Sequence, residues 1–180
     1  MHAERGPVQP PALPSPDEVA AQFGAPLFTF VAQPRLAEWA INAERTDGTI
    51  DTVAVLYWYF DDPHAPAYRD SLWEAVRTAR PRDPQPSLAE ATARHLEHVI
   101  RNVGGRPEHM SLEEWMRWNP LPAVHDVRDT TLVVNGAHRP AVTIELPRWV
   151  GYGTIIGDST VTVAGDRAKL DTIDLALVER

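Results

Sequence analysis

Residues 50–60 are apolar on both faces of an extended chain, with Val53, Val55, Tyr57 and Tyr59 alternating with Ala54, Leu56, Trp58 and Phe60. A strand covered on both sides reads this way, so the segment is predicted to lie centrally in a sheet. Asp47-Gly48 precedes it. Residues 36–45 are expected to pair with it as a hairpin through that turn. A helix is the competing reading, because Leu36, Trp39, Ala40 and Ala43 also share a helical face. Farther on the pattern alternates cleanly. Val142, Ile144 and Leu146 flank Thr143 and Glu145, and Val161 and Val163 flank Thr160 and Thr162. Asn135-Gly136, Gly157-Asp158 and Gly165-Asp166 read as turns between such runs. Ile173, Leu175 and Leu177 supply a last strand. The C-terminal region is thus predicted to be an antiparallel β-meander.

Helix starts carry a repeated signature. Ser-x-x-Glu occurs at Ser15/Glu18, Ser71/Glu74, Ser87/Glu90 and Ser111/Glu114, the spacing at which a Ser hydroxyl and a Glu carboxylate reciprocally satisfy two orphan amides. The strongest periodicity covers 88–103, with Leu88, Leu96, Val99, Ile100 and Val103 on one face and Gly104 as the stop. Shorter helices are predicted over 72–79 and 112–117. Runs of strands and helices segregated in this way imply an α+β fold. The expected architecture is an antiparallel sheet with an N-terminal hairpin and a C-terminal meander. Its helices over 72–79, 88–103 and 112–117 pack on one face.

Composition narrows the picture. Residues 1–16 hold Pro7, Pro10, Pro11, Pro14 and Pro16 with few bulky apolar side chains. They are expected to form a disordered arm ahead of a single domain over 17–180. The absence of Cys removes thiol nucleophiles and thiolate-ligated metals. The bases are 16 Arg and one Lys, Lys169, a bias that suits a GC-rich bacterial coding sequence. A net charge of −8 argues against a nucleic-acid partner. No apolar run approaches the ~20 residues of a membrane helix, and no secretory signal pattern occurs. A cytoplasmic location, with no membrane contact, follows as the expectation.

Two clusters have metal-like chemistry. His95 and His98 stand i,i+3 on the strongest helix, and Asp61, Asp62 and His64 follow the central strand. Together they could supply nitrogen and oxygen ligands to a divalent ion. The bland readings are histidines at the edge of an apolar stripe and ordinary turn residues. Aromatic residues form a second kind of candidate. Trp115 and Trp118 with Glu113 and Glu114, and Trp149 with Tyr152, are Trp-rich stretches of the sort that anchor interfaces or fill cores. Gly-x-Ser-x-Gly and the phosphate-loop and dinucleotide glycine patterns are absent. No cofactor is expected, and a non-enzyme is favoured.

The C-terminal third resembles a recurring tail in uncharacterised proteins of GC-rich bacteria. The similarity runs through Leu132-Val133-Val134-Asn135-Gly136, Ile155-Ile156-Gly157-Asp158-Ser159-Thr160-Val161-Thr162-Val163, and residues 170–179, with a looser likeness over Asp17–Phe23 and Glu38–Leu56 around the Asp-Gly turn. It implies one domain and a meander, and no chemistry. The functional expectation is a non-catalytic acidic module that binds another protein, an immunity-type or neutralising partner of a basic protein. A small metal-assisted enzyme using His95 and His98 with Asp61 and Asp62 is the alternative. A structural subunit of a bacterial assembly is a further one.

Overall fold

The two-sided apolar run becomes β3 (Thr49–Tyr59), paired along both edges by β2 (Leu36–Thr46) and β4 (Leu72–Ala79). The computed structural model describes residues 16–31, 36–46, 48–59, 72–102, 110–111, 113–114, 117, 126–171 and 175–179. Residues 36–46 are strand rather than helix because the apolar β3 needs a hydrogen-bonded neighbour on that edge. Between Glu44 and Arg45 the register shifts, their partners being Thr52 and Ile50, so Asp51 is the extra residue of a β-bulge. The bulge sends Ile50 to the same side as Val53. It leaves the Asp51 carbonyl to accept from the Arg80 amide at 2.9 Å.

Residues 72–79 correct the sequence expectation: they are β4, not a helix. Eight residues are too few for apolar spacing to choose between the two periods. Val76 and Thr78 are buried on one face while Arg77 and Ala79 line a cleft on the other, which is period two. Two waiting edges decide the matter, since β4 pairs with β3 and with β8 (Ser159–Asp166). The expected N-terminal hairpin is therefore one strand longer.

The strongest predicted helix forms as α2 (Leu88–Asn102). Its capping box is complete. The Glu90 amide donates to Ser87 Oγ at 3.2 Å, and the Ser87 amide donates to Glu90 Oε2 at 2.8 Å. Ser111 and Glu114 make the same exchange at 3.1 and 2.9 Å. The rest of the 112–117 prediction lies largely outside the described residues. At the N-terminus α1 (Pro16–Phe23) ends on Gly24, whose φ of 63° needs no Cβ relief. The arm expected over 1–16 lies outside the described residues except for Pro16.

The meander runs β5 (Val127–Val134), β6 (Ala137–Glu145), β7 (Trp149–Ile156) and β8. Asn135 and Gly136 take φ of 50° and 75° in the tight β5–β6 turn. Gly165 and Asp166 do not form a turn. They extend β8 and pair with Val150 and Trp149. Asp166 Oδ1 then accepts from the Ala168 amide at 3.0 Å and starts the short α3 (Arg167–Leu170). β9 (Ala176–Glu179) leaves the meander altogether, because β8 already has β4 on its outer edge. It joins β5 in parallel and β1 (Phe28–Phe30) antiparallel. Among the described residues the nine strands lie in the order β1-β9-β5-β6-β7-β8-β4-β3-β2. The fold is thus mixed α/β, with a largely antiparallel sheet that includes one parallel pair.

The sheet curls nearly into a barrel, bringing β1 close to β4. Its concave face encloses Phe28, Phe30, Val55, Val76, Val161, Val163 and Leu177. The other face carries α2, whose Leu96, Val99 and Ile100 pack on Ile144, Trp149 and Ala164. α1 sits against the opposite face from α2, with Val19 and Phe23 on Ile50 and Val53. Helices therefore occupy both faces rather than the one expected. Among the described residues no helix is long and apolar enough to cross a membrane.

Candidate functional site

α2 lies chiefly over β7 and β8, and its cover thins before β4. On the strip of sheet left beside it, alternation brings Thr52 of β3, Arg77 and Ala79 of β4, and Thr160 and Thr162 of β8 to the same face. The connection from β4 to α2 returns over this strip and supplies Arg80, Arg82 and Gln85. α2 adds Ala91 and Arg94. The result is a cavity of about 80 Å³ with an open side, large enough to hold ordered water. Arg77, Arg82 and Arg94 line it, and among the described residues no carboxylate does; Arg80 borders it but turns its guanidinium to Phe23 and Gly24 on the other face of the sheet.

Local structure holds these groups in place. The Asp51 bulge brings its carboxylate to within 3.3 Å of Arg82 Nη2. The same guanidinium donates to Thr52 Oγ1 at 2.9 Å. The Arg82 amide donates to Gln85 Oε1 at 2.6 Å, and Gln85 Nε2 donates to Thr160 Oγ1 at 3.4 Å. The loop is thereby tied to both β3 and β8. Arg80 lies 5.2 Å above the Phe23 ring, and its Nε is buried without a hydrogen-bond partner. Arg94 stands one helical turn after Glu90 and helps the Ser87 cap hold that carboxyl below its ordinary range.

His95 contacts the cleft residue Thr162 from the buried side of α2. It is buried to 2% exposure beneath α2, and its Nδ1 lies 2.7 Å from Thr162 Oγ1. Burial, reinforced by Arg77 and then His98, pushes its pKa well below the ordinary value. The folded state therefore keeps His95 neutral at pH values where the unfolded chain protonates it. Stability from this residue is complete above about pH 6.5 and declines as pH falls from there toward the folded pKa, by at most about 1.4 kcal/mol per pH unit. Urea midpoints of wild type and His95→Gln measured from pH 7.5 to 5.0 are expected to diverge, the wild type losing more. Parallel curves would show that His95 is not the group responsible.

His98 is half-buried on α2 near His95. Asp61, Asp62 and His64, and Trp115 and Trp118, lie outside the described residues. Among the described residues no group of three or more His, Asp or Glu could hold a metal ion. Glu113 and Glu114 are exposed, Glu113 in an ion pair with Arg117 at 3.6 Å. Trp149 is a core residue at 1% exposure, and Tyr152 packs half-buried against the concave core. Burial, then Asp171 and Glu145, push the Tyr152 phenol above its ordinary pKa. No protein-family description, curated protein or solved structure matches the chain.

The arginine cleft is absent from the sequence candidates, although a signal for it exists. Arg77, Arg80 and Arg82 fall within six residues, ahead of a helix bearing Arg94. With 72–79 read as a helix, Arg77 looks like one more solvated charge. Only the strand reading puts it on a sheet face with Ala79.

Proposed function

We propose that this protein is a non-catalytic binding domain whose ligand is an anion held in the arginine cleft. The observation that supports this is that Arg77, Arg82 and Arg94, from strand, loop and helix, line one small cavity in a chain whose net charge is −8. Guanidinium groups are the side chains best suited to carboxylate and phosphate oxygens. The Arg82 guanidinium is held by Asp51 and Thr52, and its backbone amide by Gln85, before any ligand arrives, which lowers the ordering cost of binding. The reading keeps the expectation of a binding protein over an enzyme and sets the sign of its ligand. A basic partner, motivated by the net charge, would have to meet a different part of the surface.

The test is amide chemical-shift mapping of the full chain, titrated with small mono- and dianions at constant ionic strength. Saturable shifts are expected at residues 77–82, 91–94 and 160–162. If no anion moves these amides, or if shifts scatter over the surface, the cleft is not a binding site.

A further inference from the structure

We infer that Asn135 is a spontaneous modification site held in check by β9, and that its conversion to isoaspartate unfastens the strand that closes the sheet. Asn135 is followed by Gly136, whereas Asn42, Asn102 and Asn119 precede Ala43, Val103 and Pro120. With no side chain on Gly136, its backbone nitrogen is unhindered toward the neighbouring side-chain amide. Both turn residues are exposed. The Gly136 nitrogen attacks Asn135 Cγ and gives up its proton, and ammonia leaves, closing a five-membered imide. Water then opens the ring. Opening at the side-chain carbonyl gives aspartate. Opening at the former peptide carbonyl gives isoaspartate, in which the chain runs through Cβ and Cγ and is longer by a carbon. Nothing is oxidised or reduced, and water is the co-reactant.

The native turn resists the first step in two ways. Ring closure brings the Gly136 nitrogen into eclipse with Cβ about the Asn135 Cα–C bond. Asn135 has a φ of 50°, the left-handed conformation, in which that nitrogen is turned to the far side from Cβ. The side chain is also engaged. Its Oδ1 accepts from the Glu179 amide at 2.8 Å, and the Asn135 amide donates to the Leu177 carbonyl at 2.8 Å. The reaction therefore runs from conformers in which the turn and β9 have opened locally. β9 in turn depends on this clasp. It pairs with β5 only at Val133–Ala176 and Val134–Leu177, and Asn135 extends that short ladder. β1 joins the sheet through β9. Phe28, Phe30 and Leu177 belong to the concave core, so these two strands form the seam where the sheet curls toward β4. An extra backbone carbon in so tight a turn shifts Asn135 against β9, and the clasp cannot keep both bonds.

Peptide mapping by mass spectrometry, on the full chain aged at mildly alkaline pH with and without urea, tests this. Asn135 is expected to convert in both, at least about tenfold more slowly in the folded protein, the margin that a pair of hydrogen bonds supplies. Glu179→Pro deletes the amide that holds Oδ1 and should speed conversion of the folded protein about fivefold. Glu179→Ala keeps that amide and should leave the rate unchanged. In the purified isoaspartate form, amides of residues 28–31 and 176–179 are expected to exchange hydrogen at least about tenfold faster, and those of α2 at the same rate. No conversion in urea overturns the site itself. Equal rates with and without urea overturn the check exerted by β9. A Glu179→Pro rate no faster than that of Glu179→Ala overturns the clasp, and unchanged exchange at 176–179 in the isoaspartate form overturns the unfastening.

Discussion

Gly153→Val is expected to destabilise the protein by about 3 kcal/mol, at the top of the usual range for overpacking. The reason is the approach of α2 to β7. A Cβ at Gly153 would overlap Thr92 Oγ1 and stand 3.1 Å from Leu88 Cδ1. Neither neighbour has an easy retreat. The Thr92 hydroxyl donates to the Leu88 carbonyl at 2.8 Å, and Thr92 is fully buried. Gly151, on the same face, is less tight, with Thr92 Cγ2 at 3.2 Å and Leu96 Cβ at 3.4 Å from a built Cβ. Gly151→Ala should therefore cost less than Gly153→Ala in urea denaturation. Thr92→Ala combined with Gly153→Ala should recover about 1 kcal/mol of the loss, since the two residues share the contact. Because α2 carries Arg94, raising the helix off the sheet should also weaken anion binding. A Gly153→Val protein as stable as wild type would mean that α2 does not seat as described.

The parts of the fold that sequence pattern resolves are those with a strong local signal. α2 combines a capping box with an amphipathic face. Asn135-Gly136 dictates a tight turn, and the two-faced run of β3 requires a neighbour on each side. What the pattern does not resolve depends on edges supplied by distant chain segments. Residues 72–79 have a helix-start signature, yet the open edges of β3 and β8 convert them to strand, a tertiary override of local preference. Gly165-Asp166 reads as a turn until its pairing with Trp149 and Val150 is known. β9 crosses to β5 because the nearer edge is taken. The cleft inherits these non-local features. It needs the Asp51 bulge, the β4 strand and the limit of α2 cover all at once, and none of the three is written in a local motif. His95 shows the same logic at one residue. Its position at the border of the apolar stripe is readable, but its full burial against Thr162 follows from where β8 lies under the helix.

Trp149→Ala is expected to cost about 3–5 kcal/mol, the range for removing a fully buried large aromatic. Trp149 begins β7, where the second core meets the end of the sheet. It packs in one cluster with Leu96, Ile100, Ile144 and Ala164. On its open flank Arg148 lies 4.8 Å above the ring and pairs with Asp166 at 3.2 Å. Removing the indole leaves a cavity bounded by both α2 and the sheet, and neither can collapse without giving up contacts elsewhere. Arg148→Ala removes the ring contact and the half-exposed ion pair but creates no cavity, so its cost should be near 1 kcal/mol. Trp149→Phe should fall between the two. Denaturant midpoints for the three variants separate a core role from an interface role. A side chain that served mainly as a surface anchor could be truncated within about 0.5 kcal/mol of wild type. A change that small on Trp149→Ala would contradict its burial. A loss of several kcal/mol would instead place this tryptophan among the residues that hold α2, and with it the arginine cleft, against the sheet.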